Sequence, residues 1–149
     1  MILSWGKPLV EFAPCIDGAV GTEFSEMPTI KQDTAKLTTT AGTKLEGKGE
    51  GGEVVDVKYE ASSYSFTFDV FVKKGDEVPI ADVDGVIDGN YSVRLTPEDD
   101  TLEGFIIDKS VVSVAVAWSA AEGKLLTYTF DALKPLTGTM VKAYTKAAE

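Results

Sequence analysis

The sequence predicts one antiparallel all-β domain, a two-sheet sandwich or a barrel with at most one short helix, and three observations carry that prediction. Apolar residues recur at every second position rather than every third or fourth. Glycine, proline and aspartate punctuate the chain between those stretches, as turns between strands require. The 149 residues, 44% hydrophobic and 26% charged, suffice for one buried core, and no repeat, linker or composition shift marks a second domain.

Strands are expected first over residues 9–16, 37–40 and 53–59, all rich in β-branched or aromatic side chains. The clearest strand covers residues 63–73, where Tyr64, Phe66, Phe68, Val70 and Val72 alternate with Ser63, Ser65, Thr67, Asp69, Phe71 and Lys73, nearly clean alternation. Such alternation describes a half-buried strand with one wetter face. Residues 79–83 offer the one helix candidate, a single turn with Pro79 at its start, cut short by Gly85. A strand over 91–96 follows. Residues 111–118 then place Val112, Val114, Val116 and Trp118 on one face and Val111, Ser113, Ala115 and Ala117 on the other. Both faces are apolar, which predicts a central strand covered on two sides. Ala120-Ala121-Glu122-Gly123 turns the chain into the alternating Leu126, Tyr128 and Phe130, completing a long hairpin, and a last strand is expected over 139–144. The expected core is Tyr64, Phe66, Phe68, Val70, Val112, Val114, Val116, Trp118, Leu126, Tyr128 and Phe130.

Residues 38–52 break the pattern. They are polar and glycine-rich, with Thr43, Lys44, Glu46, Lys48, Glu50 and the following Glu53 supplying hydroxyl and alternating charge. So few apolar groups do not offset the entropy of ordering, which leaves two readings: a mobile loop ordered by a partner, or a surface hairpin with a loose tip.

Composition excludes more chemistry than it suggests. The chain has 24 acidic and 14 basic residues, no histidine and a formal net charge of -10. Without imidazole there is no usual neutral-pH general base, no histidine-based triad and no common zinc or non-haem iron ligand set. Arg94 is the single arginine, and the negative balance opposes gripping nucleic acid through its phosphates. Cys15 is the single cysteine, so no intrachain disulfide forms, and with no histidine to activate it the expected role is a small buried hydrophobe. The opening residues lack the pattern of a secretory signal and no apolar run is long enough for a membrane helix, so a soluble intracellular protein is expected.

Asp82, Asp84 and Asp88 invite a calcium reading, because alternating carboxylates around a glycine suit a hard cation. The spacing opposes it: Gly85 comes too early, and the twelfth position counted from Asp82 is Val93 rather than glutamate. Ordinary Asp-Gly turns are the plainer account. Glu98-Asp99-Asp100 reads as a solvated loop, and Gly49-Glu50-Gly51-Gly52 lacks the lysine and hydroxyl of a phosphate loop. No residue set selects an enzyme, and no cofactor is expected.

Taken in order, several segments resemble the tail tube proteins of long-tailed bacteriophages and the related contractile-tube proteins. They are Trp5-Gly6-Lys7-Pro8, Pro28-Thr29-Ile30, Gly51-Gly52-Glu53-Val54-Val55-Asp56, Phe71-Val72-Lys73-Lys74-Gly75, Leu95-Thr96-Pro97-Glu98-Asp99, Gly104-Phe105 and Ala132-Leu133-Lys134-Pro135. The resemblance implies a β-barrel or two-sheet sandwich with a flanking helix, six copies of which form rings that stack into a tube. It implies an extended loop between early strands, here residues 38–52, that bridges rings. It further implies a phage or prophage virion tail assembled in the bacterial cytoplasm, contacts with other tail proteins, DNA passing without specific binding, and no membrane. The alternative from a different class is a small β-sandwich binding module for sugar or a calcium-dependent partner, with Asp82, Asp84 and Asp88 as its nameable ligands; an orphan structural domain without an assembly role is the third.

Overall fold

A computed structural model describes residues 8–27, 30–31, 34–72, 80, 82–98 and 101–145. The described residues form ten strands: β1 (Leu9–Pro14), β2 (Ser25–Glu26), β3 (Lys36–Thr40), β4 (Lys44–Lys48), β5 (Val54–Tyr59), β6 (Ser63–Phe71), β7 (Val86–Thr96), β8 (Gly104–Ser119), β9 (Gly123–Ala132) and β10 (Val141–Tyr144). No helix occurs among the described residues. The Trp5-Gly6-Lys7, Pro28-Thr29, Lys73-Lys74-Gly75 and Asp99-Asp100 stretches lie outside them, as do Pro79 and Ala81 of the expected helical turn.

Eight strands form one antiparallel sheet in the order β2-β1-β7-β8-β9-β6-β3, with β10 added to β8. The long β8 organises it. Its first part pairs with β7 and, through residues 104–107, with β10; from Ser110 onward it pairs with β9. The β7–β8 register shifts twice, with extra residues on β7 between Val86 and Asn90 and an extra residue on β8 between Ile107 and Ser110; bulges of this kind bend and twist a strand. The sheet thereby folds over itself in a sandwich-like arrangement, without closing into a barrel among the described residues. Phe66 on β6 meets Phe105 from the first part of β8 edge to face, with ring centroids 5.1 Å apart, although the two strands are not hydrogen-bonded neighbours.

One core results. Val10 and Phe12 of β1, Phe66, Phe68 and Val70 of β6, Val93 of β7, Ile107, Val112 and Val114 of β8, and Leu126, Tyr128 and Phe130 of β9 pack together. Phe66, Phe68, Phe130 and Tyr128 form a ladder of ring contacts 5.2 to 6.4 Å between centroids, which adds directional aromatic attraction to burial. Beside this core, Arg94 reaches across the β1–β7 register to Glu11 with two nearly parallel bonds of 3.1 and 3.2 Å, and its guanidinium lies 4.0 Å from the Phe24 ring centroid and 5.1 Å from that of Tyr144. A planar fork stacked between rings is something lysine does not replace.

Several expectations are corrected. Val116 and Trp118 are 59% and 73% exposed rather than core, and Tyr64 is only half-buried. The reason is length. The β7 side of β8 ends at the Val83–Val86 turn, where the Val114 N–H donates to the Gly85 carbonyl at 3.4 Å, so residues 115–119 run past the core. Val111, Ser113, Ala115 and Ala117 are exposed too, so β8 is covered on one face, not two.

Two tight turns share one sequence solution. Asp17-Gly18 closes Ile16 against Ala19, and Asp84-Gly85 closes Val83 against Val86, each with positive φ at both central residues. Two-residue turns with positive φ at both positions match the twist of the flanking strands, and Asp-Gly accepts their dihedrals. The Asp82 carboxylate accepts the Gly85 N–H at 2.7 Å, fixing the second turn.

Burial also sets one titration. The Tyr128 hydroxyl donates to the Ile80 carbonyl at 3.1 Å, and burial pushes its pKa above the ordinary 10.0, with the Asp82 charge adding to the rise and the Ile80 bond opposing it. The unfolded chain therefore ionises this phenol first as pH rises. Stability is complete below about pH 10 and declines above it. In denaturant titrations from pH 9 to 11, Tyr128→Phe should flatten the alkaline decline of the parent; an unchanged slope would assign the decline to other groups.

Candidate functional site

Among the described residues, no three of Asp, Glu and Cys converge where a metal ion could be held. Asp82 is engaged by the Gly85 N–H, Asp84 occupies a turn position at φ 51°, and Asp88 lies on the bulged start of β7. The three are not brought together. Cys15 is half-buried, its thiol 3.5 Å from Ser92 Oγ and 3.3 Å from the Asp108 carbonyl. The Ser92 hydroxyl donates to that same carbonyl at 2.6 Å and accepts the Gly21 N–H at 3.0 Å. This is a structural knot tying β1 to β7 and β8. Asp108 also pairs with Lys142 of β10.

The distinctive surface lies elsewhere. Residues 38–52, expected either as a loop ordered by a partner or as a surface hairpin with a loose tip, divide between the edge strand β3, the first strand of an arm, and the arm's tip, which is the hairpin form. The arm is the β4–β5 hairpin, which pairs with no other strand among the described residues. Every residue of both strands is exposed. Pairing is in register from Lys44 opposite Tyr59 to Gly47 opposite Asp56, then shifts so that Lys48 meets Val54. Gly51 and Gly52, at φ 91° and 87°, turn the tip, where the Gly49 N–H donates to the Glu53 carbonyl at 2.8 Å. Among the residues expected to bridge subunits, Thr43 offers its carbonyl to the Glu60 N–H at the arm's base, and Glu50 and Glu53 sit at the tip. Lys44 and Lys48 pair with Glu46 of their own strand, at 2.6 and 3.9 Å. Exposed pairs of this kind contribute little.

What the charges hid is the apolar content. Leu45, Val54, Val55, Val57 and Tyr59 all stand exposed on the arm. An isolated two-stranded hairpin is marginal in water, and this one buries its apolar groups on no layer of its own domain. The alternation of Val55, Val57 and Tyr59 was the available signal, since it marks a strand that buries one face.

The main sheet leaves two edges unpaired on one four-stranded layer of β8, β9, β6 and β3. At one side lies β3. At the other lie residues 115–119 of β8, which have no strand beside them among the described residues. That second edge holds Val116 and Trp118 and no charge or proline, so nothing in it discourages pairing with another chain.

No protein-family model matches the chain, and no curated protein matches it significantly.

Proposed function

We propose that this protein is a self-assembling structural subunit of the tail-tube kind, forming stacked hexameric rings that make a conduit for DNA. The observation that carries the reading is the arm: a hairpin with five exposed apolar side chains and no support from its own core. A surface that costs free energy in the monomer gains it when a neighbouring copy covers the apolar groups. In this reading the arm bridges to the next ring, and the free edges of β3 and β8 join copies within a ring. A head-to-tail contact between two different edges closes into a ring or continues as a filament, unlike a self-complementary patch, which stops at a dimer. The subunit belongs to a phage or prophage virion tail assembled in the bacterial cytoplasm, with other tail proteins as further partners.

Light scattering at rising concentration, with electron microscopy of the same samples, tests this. Rings or tubes are expected from the parent chain and are expected to vanish when residues 44–58 are replaced by a two-residue turn. Arm amides that exchange quickly in the monomer should become protected on assembly. A strict monomer at every concentration, with or without other tail components, overturns the reading.

A further inference from the structure

The arm has two edges, and among the described residues neither is paired with a further strand. They are chemically unlike. The β4 edge carries Lys44, Glu46 and Lys48, charges of the kind that discourage another strand from adding. The β5 edge runs Val54-Val55-Asp56-Val57-Lys58-Tyr59, with Val55, Val57 and Tyr59 exposed at alternate positions. Since the Glu60 N–H bonds to the Thr43 carbonyl, the antiparallel ladder turns the backbone groups of Lys58 and Asp56 toward β4 and those of Val57 and Tyr59 outward. The outward Val57 N–H is met by the carboxylate of the preceding residue, Asp56 Oδ1, at 2.9 Å. Val55, the extra residue at the register shift, is left out of the β4 ladder.

We infer that free subunits pair arm to arm through this edge, β5 against β5 about a two-fold axis at Val57, as a resting dimer distinct from the ring contacts; on the assembly reading above, the dimer withholds the arm until rings form. Backbone direction restricts the register. Antiparallel strands bond where outward residues face outward residues, so the axis of two identical strands falls on a residue and not between two. Centred on Asp56 it sets carboxylate against carboxylate. Centred on Lys58 it sets ammonium against ammonium and Asp56 against Glu60. Centred on Val57, it places Val55 of each copy opposite Tyr59 of the other on one face, and Asp56 of each opposite Lys58 of the other on the opposite face. Residues 55–59 read apolar, acid, apolar, base, apolar, and reversal exchanges acid with base, so this one register matches throughout. The Asp56 and Lys58 positions face each other as a pair without backbone bonds between them, where side chains approach most closely. The product is a four-stranded sheet, β4-β5-β5-β4, whereas a lone hairpin is marginal in water. Such a self-complementary contact is complete with two copies and adds no third. Ring formation requires the arms to part, so dimer and assembly compete for the same strand.

Sedimentation velocity of the full chain, below the concentration at which rings scatter light, tests this. The parent should be a dimer that dissociates on dilution. Asp56→Lys and Lys58→Asp each set like charges opposite one another twice, and each should weaken dimerisation about tenfold or more at low salt. Asp56→Lys/Lys58→Asp together should restore it, because the facing charges are again opposite. The axis has its own signature. Val57 is the β5 residue that faces itself, at about 5.5 Å between Cα atoms, within the reach of a disulfide. Val57→Cys should therefore cross-link into a dimer under mild oxidation, and the parent, whose Cys15 is half-buried, should not. Single variants that dimerise like the parent, a double variant no better than the singles, or no cross-link through Val57→Cys overturns the inference and leaves the tube reading standing. A parent that passes from monomer to rings without a dimer does the same. A dimer that obeys the charge exchange yet never assembles at higher concentration supports the inference and overturns the tube reading alone.

Discussion

Phe66→Ala is expected to lower the unfolding free energy by about 3 to 5 kcal/mol, the range for deleting a buried aromatic ring and leaving a cavity. Phe66 is fully buried and touches rings on three sides: Phe68 beside it on β6, Phe130 on β9, and Phe105 from the first part of β8. It therefore ties the first part of β8 to β6 and β9 through one side chain, and its loss removes contacts that neither sheet pairing nor the arm replaces. A protein of this size holds a total stability of roughly 5 to 15 kcal/mol, so the variant should lose much of it. Trp118→Ser provides the contrast. It removes a larger ring, but one 73% exposed, and should change stability by no more than about 0.5 kcal/mol. Urea unfolding of both variants decides the matter. Equal losses would mean that the β8–β9 tip is buried in solution and that the core boundary at residue 114 is misplaced.

That contrast also explains what the sequence could and could not convey. Period-two alternation identified β6, β8 and β9 and assigned Phe66, Phe68, Val112, Tyr128 and Phe130 to the inward face, because facing is a local property of the pleat. It placed Val116 and Trp118 on that same face, which is correct, and in the core, which is not. Whether a second layer extends far enough to cover them depends on where β7 begins, and that is set by the distant Asp84-Gly85 turn. Alternation carries no such information. Ala115 and Ala117 misled in the opposite sense, since small side chains read as apolar although a solvated sheet face tolerates them well.

The candidate surface was half legible. Glycine and alternating charge singled out residues 38–52, and Val55, Val57 and Tyr59 were read as a separate strand, but nothing local announced that the two segments pair only with each other. Lys44, Glu46 and Lys48 drew attention as partners for a neighbour, yet they largely satisfy one another along β4. The groups that lack cover are the valines, Leu45 and Tyr59. Aspartates at 82, 84 and 88 resemble ligands because turn chemistry and cation chemistry use the same residue, and the bond from the Gly85 N–H gives the Asp82 carboxylate a turn role.

Gly42→Ala is expected to suppress the proposed assembly far more than it lowers stability. A Cβ at this position would lie 2.0 Å from the Glu60 carbonyl oxygen and 2.6 Å from that of Ala61, both backbone atoms that cannot swing aside. Gly42 sits at the arm's base, where the Glu60 N–H donates to Thr43 at 2.9 Å and holds the hairpin's two ends together. An added methyl forces those ends apart, breaks or lengthens that bond, and re-aims everything beyond it. A small angular change at the base becomes a displacement of several ångströms at the tip, because five paired residues at about 3.3 Å each separate them. The core lies elsewhere, so stability should fall only by the roughly 1 to 3 kcal/mol typical of local overpacking. On the proposed assembly reading, tube formation should fall far more, since a misdirected arm would miss its seat on the next copy. The measurement pairs two readouts on one variant: hydrogen exchange at the Glu60 amide in the monomer, and tube formation by light scattering. Faster exchange with lost assembly is the expected result. Faster exchange with assembly equal to the parent would mean that the arm's direction does not matter and that the contacts between copies lie on the sheet edges alone.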